Sequence, residues 1–139
     1  MAKAKSLGAD HVVDHYQQNV LEEVRRITGK RGVDVVVEHV GKATWESSVK
    51  ALAKGGRLVV CGATTGAEVM TDLRYVYNRE LTIYGSFMSS RGELLSVTKL
   101  FESHRLRPVV DSVFPLQKAA EAQKRMEGSE HFGKIVLNV

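Results

Sequence analysis

The stretch VDVVVEHVGKAT, residues 33–44, joins an apolar run to a polar turn that contains one glycine. Valine is β-branched and favours strands. The run does not alternate strictly between apolar and polar residues, which is typical of a parallel strand covered on both faces. Residues 33–40 are therefore predicted to form a buried parallel strand that ends in a turn and leads into a helix.

The same order of strand and helix recurs along the chain. Further strands are predicted at HVVDH (11–15), RLVVCG (57–62), LTIYGSF (81–87) and GKIVLNV (133–139). Helices are predicted at NVLEEVRRITGKRG (19–32), TWESSVKALAKGG (44–56), RGELLSVTKLFESHRL (91–106) and QKAAEAQKRMEG (117–128). In the first of them, Asn19 and Glu22 have the spacing of a capping box. Parallel neighbours need long crossovers, so this order predicts one open parallel α/β sheet in a single domain, residues 1–139.

Composition excludes two classes of partner. The 139 residues carry a formal charge of +4, but basic and acidic residues are interspersed and no nucleic-acid-binding motif is found, which argues against nucleic acid. No apolar run approaches the ~20 residues needed to cross a bilayer, and the amino terminus lacks a signal core. The single cysteine, Cys61, fits a reduced, cytoplasmic protein. We expect it to be a small buried apolar residue, with a thiol nucleophile as the alternative.

Three of the predicted strands end in small, polar, glycine-bearing segments. These are EHVGKAT (38–44), CGATTG (61–66) and GSFMSSRGE (85–93). The carboxyl ends of parallel strands share one edge of the sheet, and ligands of open α/β sheets bind there. A flat, amphiphilic ligand would suit that edge. The alternative, that Gly41, Gly62 and Gly66 only make turns, remains open.

Five motifs in order resemble the carboxyl half of the medium-chain dehydrogenase/reductases, which include zinc-type alcohol dehydrogenases and quinone oxidoreductases. They are LGADHVVDH, TGKRGVDVVVEHVG, ALAKGGRLVVCGATTG, LTIYGSFMSSRGEL and HFGKIVLNV, and they cover nearly the whole chain. The resemblance implies the C-terminal part of an NAD(P)-binding domain. That part would be a partial Rossmann-type doubly wound parallel sheet, with residues 11–15 as strand 3 and residues 33–40 as strand 4, lacking the first two strands.

The resemblance also implies which residues bind the cofactor, NAD or NADP. Contacts on the nicotinamide side would come from three groups, and a basic residue would lie near the pyrophosphate. These residues are His39, Val40 and Gly41; Cys61, Gly62 and Ala63; Ser86, Phe87 and Met88; and Lys134. The phosphate-binding GxGxxG turn of the family would precede Met1, so binding by this chain alone is doubtful.

The implied activity is hydride transfer between the nicotinamide and an alcohol, carbonyl or quinone. No catalytic acid, base or metal ligand can be named here, and any zinc would belong to a catalytic domain that the motifs do not include. His11 and His15 would share a face of a strand, but are expected to be solvated. We expect no turnover by this chain alone. The alternative is a non-catalytic oligomeric module that binds a nucleotide or a protein. Substrate and choice of cofactor stay open.

Self-association is expected on two grounds. A partial sheet leaves an apolar strand with an unpaired edge, which favours pairing with another chain by edge addition or strand exchange. The resemblance adds that family dimers often join the last strand of the cofactor sheet, here residues 81–87, to its symmetry mate. A dimer with a continuous sheet is the expected state.

Overall fold

A computed structural model describes all residues from Met1 to Val139, which form two compact units, Met1–Met88 and Ser89–Val139. The first unit contains α1 (Ala2–Ser6), α2 (Val20–Ile27), β1 (Val33–Glu38), α3 (Trp45–Ala51), β2 (Leu52–Val60), α4 (Leu73–Asn78) and β3 (Thr82–Gly85). The second contains α5 (Arg91–Glu102), β4 (Val110–Pro115), a 3-10 turn (Leu116–Lys118), α6 (Ala119–Glu127) and β5 (Lys134–Asn138). None of the helices is both long enough and apolar enough to span a bilayer.

All strand pairs are parallel, which confirms the predicted α/β class. The first unit has a three-stranded sheet in the order β1-β2-β3, and the second has the pair β4-β5. The strands thus divide between two sheets, where the sequence predicted one. In the first unit each crossover carries a helix, α3 between β1 and β2 and α4 between β2 and β3, as parallel neighbours require.

The core of the first unit lies on one face of its sheet. Leu52 and Leu58 are fully buried, and Val49 of α3 packs with them. Val36 of β1 and Trp45 of α3 pack around this cluster. Burying a leucine side chain contributes about 1.5–3 kcal/mol, so a few residues hold α3 against the sheet.

The opposite face of the same sheet is open, and the prediction that β1 is covered on both faces is wrong. Val35 is 51% exposed and Val37 is 67% exposed, and Tyr84 of β3 is 50% exposed. Side chains alternate across a strand, so α3 on the Val36 face cannot cover them. Covering Val35 and Val37 would require a second layer of helices, and no element of this unit supplies one.

Several element boundaries also differ from the predictions. Residues 11–15 form no strand, because no strand lies beside them to complete a ladder. The helix predicted to run to residue 56 ends at Ala51, and Leu52 already begins β2. β4 and α4 were not predicted. Helix α2 is confirmed but ends at Ile27, before the predicted stop at Gly29 or Gly32, and the Asn19 side chain accepts a hydrogen bond from the Glu22 N–H at 3.2 Å.

The second unit is held by a carboxylate between its strands and α6. Asp111 accepts hydrogen bonds from the Phe132 N–H at 3.0 Å and from Arg125 Nε at 3.1 Å. The Phe132 N–H, opposed by desolvation and assisted by Arg125, lowers the pKa of Asp111 to about 2. Asp111 therefore ties β4 to α6 and to the turn before β5.

Candidate functional site at the sheet edge

The carboxyl ends of β1 and β2 lie side by side. The register pairs Glu38 with Val60, and the Cys61 N–H donates to the Glu38 carbonyl at 2.9 Å. The segments that follow, residues 39–44 and 61–66, are called here the first and second edge loops. The structure therefore brings together two of the predicted groups, 39–41 and 61–63. Their contact with a cofactor stays a prediction.

Backbone and threonine hydrogen bonds join the two edge loops. The Thr65 N–H donates to the Val40 carbonyl at 2.8 Å, and Thr65 Oγ1 donates to the same oxygen at 2.7 Å. Thr65 Oγ1 also accepts from the Ala43 N–H at 3.0 Å, and the Lys42 N–H donates to the Gly66 carbonyl at 3.0 Å. The loops form one connected edge, in which movement of either loop breaks bonds of the other.

Gly41 sits where the two loops come closest. Its φ is +87°, a backbone conformation that favours glycine. A Cβ at this position would lie 2.5 Å from the Gly66 carbonyl oxygen and 2.9 Å from the Ala63 Cα. Gly62 is also tight, because a Cβ there would lie 3.1 Å from the His39 carbonyl oxygen. These glycines permit the approach of one loop to the other.

A buried carboxylate organises the first edge loop. Glu38 is 3% exposed, and its Oε1 accepts from the N–H groups of Val40 at 2.8 Å and Gly41 at 3.0 Å. The Thr44 hydroxyl lies 2.9 Å from Oε1 and 3.0 Å from Oε2, and the Ser48 hydroxyl donates to Oε2 at 2.5 Å. Every donor lies within the first edge loop or α3.

Two opposing effects act on the pKa of Glu38. Burial is the largest and would raise the pKa, because the charged form loses water. The hydrogen bonds from Ser48, Gly41, Thr44 and Val40 together outweigh it, so the pKa lies below that of an ordinary glutamate. The group is ionised at neutral pH, and both of its oxygens are already engaged. Glu38 is therefore poorly suited to act as a general base.

The third predicted group extends the edge beyond β3. The Ser86 N–H donates to the Val60 carbonyl at 2.8 Å, which places Ser86 beside the end of β2. Phe87 is 92% exposed and Met88 is 83% exposed, and Met88 has a φ of +50°. Lys134 belongs to the second unit, where it is exposed at the start of β5 and its N–H donates to the Val109 carbonyl at 2.7 Å.

The prediction for Cys61 is wrong. This residue was expected to be buried, but it is exposed, because β2 ends at Val60 and Cys61 already belongs to the second edge loop. Its thiol lies 3.7 Å from the Glu38 carbonyl oxygen. His11 and His15 are exposed, as expected, in a segment without regular structure. Nowhere in the chain do three His, Cys, Asp or Glu side chains come together as metal ligands.

The concavities beside α3 are lined by none of the residues of the three predicted groups, although one of them includes Lys42 of the first edge loop. One is lined by Trp45, Val49, Met70 and Tyr75 among others. The Trp45 indole N–H donates to Thr71 Oγ1 at 2.7 Å. The charged groups of this surface pair among themselves, as Lys50 does with Glu46 and Asp72 with Arg74. The charged side chains that line this concavity are thus already paired.

Sequence reasoning missed the residues that hold the edge together. Glu38, Thr44, Ser48 and Thr65 were not singled out, although together they fix the loops that carry the predicted contacts. The available signal was a charged residue at the end of an apolar strand, followed at once by a glycine-bearing turn. Such a carboxylate, next to the N–H groups of the turn, is a recognisable loop anchor.

Comparisons with known proteins identify the family to which the chain is similar. Residues 7–137 match the family model described as "Zinc-binding dehydrogenase". The chain is 32% identical over 135 residues to an NAD-dependent alcohol dehydrogenase of Saccharolobus solfataricus, covering 96% of this chain and 39% of that protein. It is 28% identical over 137 residues to the quinone oxidoreductase of Homo sapiens, covering 94% and 41% respectively.

A solved structure gives the same result for the fold. The crystal structure of an NAD-dependent alcohol dehydrogenase superposes with a TM-score of 0.86 at 41% identity, covering 99% of this chain and 40% of that one. The chain thus spans about 40% of the length of the proteins it matches, in their carboxyl-terminal half. With the parallel α/β fold and the ordered motifs, this establishes that the chain belongs to the zinc-binding dehydrogenase family.

Proposed function

We propose that the chain is a portion of a nicotinamide-dependent oxidoreductase and that its edge loops border the nicotinamide side of an NAD(P) site. The observation that carries the proposal is the joined edge at the ends of β1 and β2. There Cys61, Gly62 and Ala63 are small, and the first and third of them are exposed. Small residues let a flat ring approach the backbone closely.

The chemistry would come mainly from the cofactor. A bound nicotinamide supplies the hydride, which in this family passes to or from an alcohol, carbonyl or quinone. Residues 39–41, 61–63 and 86–88 would contribute backbone groups that orient the ring. The expected role of Lys134 near the phosphates stays a prediction from the family resemblance. No residue of the chain is assigned a proton transfer, and we expect no turnover by this chain alone. A cytoplasmic location remains a prediction.

Cofactor contact can be tested residue by residue. Titration of the ¹⁵N-labelled chain with NADH and NADPH to millimolar concentration should shift the amide resonances of residues 39–41 and 61–63, while those of α2 stay unchanged. Millimolar affinity corresponds to only about 4 kcal/mol, a level that a partial site could supply. Shifts that are absent, or spread evenly over the chain, would count against the proposal.

A pair of variants sharpens this test. Ala63→Phe places a large ring on the exposed second edge loop and should abolish the shifts at residues 39–41. Ala9→Phe, also at an exposed alanine, should leave them intact. Equal responses of the two variants would show that the cofactor binds elsewhere.

We also propose that the chain self-associates through its first sheet. β1 and β3 each have one neighbour, so both outer edges carry unpaired backbone groups. Ile83 and Tyr84 of β3 are 42% and 50% exposed, which gives that edge an apolar flank. This observation also favours the alternative of a non-catalytic oligomeric module. Pairing of β3 with its copy in a second chain would make a continuous six-stranded sheet.

Light scattering at micromolar concentration should therefore report a mass above the 15.4 kDa of one chain. Tyr84→Lys should shift the equilibrium toward the monomer, because like charges would face each other across the joined edge. Met70→Lys, at a 94% exposed apolar residue away from the sheet, serves as control and should not. A monodisperse monomer of the unmodified chain would rule out the continuous sheet.

A further inference from the structure

Glu38 is a buried charge with no cation beside it. The residue is 3% exposed, and the partners of its carboxylate are two backbone N–H groups and two hydroxyls. Burying an ionised carboxylate is costly unless hydrogen bonds compensate it. The side chain of Val60, its partner across the β1-β2 ladder, packs against the core. An apolar residue at position 38 would satisfy packing, so the carboxylate contributes something that packing does not.

All of its contacts restrain one segment. Glu38 is the last residue of β1. Its carboxylate accepts hydrogen bonds from the N–H groups of Val40 and Gly41 in the first edge loop. It also accepts from the hydroxyls of Thr44 and Ser48 at the start of α3. It therefore fixes the direction of two N–H groups of the first edge loop and the position at which this loop joins α3. With those N–H groups turned toward Glu38, the loop carbonyls are free to face the second edge loop.

The second edge loop depends on those carbonyls. The Val40 carbonyl accepts from both the N–H and the hydroxyl of Thr65, and the His39 carbonyl lies 3.4 Å from the Thr64 nitrogen. Glu38 makes no side-chain hydrogen bond to the second edge loop. The order of that loop is thus coupled to the carboxylate through the backbone of the first edge loop, which also donates from the Lys42 N–H to the Gly66 carbonyl and from the Ala43 N–H to Thr65 Oγ1.

We infer that Glu38 is a positioning residue, whose carboxylate holds both edge loops in register before any ligand arrives. The role of that edge toward a nicotinamide rests on the proposed function, whereas the coupling between the loops does not. Preorganisation of this kind lowers the cost of ordering backbone groups when a ligand binds.

Amide hydrogen exchange of the full chain, followed by NMR, tests the coupling. In Glu38→Leu an apolar side chain fills the space of the glutamate but leaves the N–H groups of Val40 and Gly41 without a partner. Exchange should become at least about tenfold faster at those two amides and also at Thr65, which the carboxylate does not touch. Glu38→Gln should stay within about threefold of the unmodified chain. Its amide oxygen can replace Oε1, and the Thr44 and Ser48 hydroxyls can rotate to accept from its NH₂.

Val36→Ala is the matched control. It weakens the same strand from the core side, and should speed exchange along the sheet without singling out Thr65. If Glu38→Leu fails to fold, the double variant Thr44→Val with Ser48→Ala removes two donors from the carboxylate and should loosen Thr65 in the same way. Unchanged Thr65 exchange in a folded variant would overturn the inference, and so would equal effects of the Gln and Leu variants. Absence of NADH-induced shifts in the unmodified chain would instead overturn the proposed function.

Discussion

Gly41→Ala is expected to lower the free energy of unfolding of the first unit by roughly 2–5 kcal/mol. The first contribution is backbone strain, because φ at this position is +87°. The second is steric, because the new Cβ would lie 2.5 Å from the Gly66 carbonyl oxygen, which is backbone and cannot rotate away. Relief of the clash would separate the two edge loops. Urea unfolding followed by circular dichroism measures the loss.

Gly29→Ala separates the strain from the clash. Gly29 also has a positive φ, +59°, but a Cβ there would meet no atom within 4 Å. Only strain remains, and the expected loss is about 1–2 kcal/mol. If the two variants lost equal stability, the close approach of the edge loops at Gly41 would be refuted. Where Gly41→Ala still folds, its titration with NADH should show smaller amide shifts at residues 61–63 than the unmodified chain does.

The second large effect is expected for Leu58→Ala, with a loss of about 2–5 kcal/mol. Leu58 is fully buried in β2, and it packs with Leu52 and Val49. The core of this unit has few fully buried large side chains, so neighbouring residues can do little to fill the cavity left by the leucine. Thermal and urea unfolding should both show the loss. A lowered midpoint of urea unfolding, with an unchanged slope of the unfolding free energy against urea concentration, would confirm that stability alone had changed.

Val35→Ala provides the comparison from the opposite face of the same sheet. Val35 is 51% exposed, so its truncation should cost at most about 1 kcal/mol in a dilute, monomeric sample. The contrast with Leu58 follows from the one-sided burial of the sheet. A loss for Val35→Ala that grows with protein concentration would show that a second copy covers this face in solution. A loss as large as that of Leu58→Ala in the dilute monomer would contradict the open face.

Much of the secondary structure could be predicted because its signals are local. The β-branched run of β1 and the Asn19 side chain at the start of α2 each act over a few residues. The predicted strand at residues 11–15 shows the limit of such signals. A strand is completed by hydrogen bonds to a neighbour, and no neighbouring strand lies beside those residues.

The candidate site divides in the same way. The parallel α/β class and the order of the glycine-bearing segments could be inferred from the sequence, because they follow from periodicity and turn chemistry along the chain; the family could be inferred because the ordered motifs resemble it. The tertiary structure was needed to find that Glu38 is buried and that Thr65 binds the Val40 carbonyl. It also decided which face of the sheet is open. These features depend on which residues meet across the β1-β2 ladder, and that register is a property of the packed sheet.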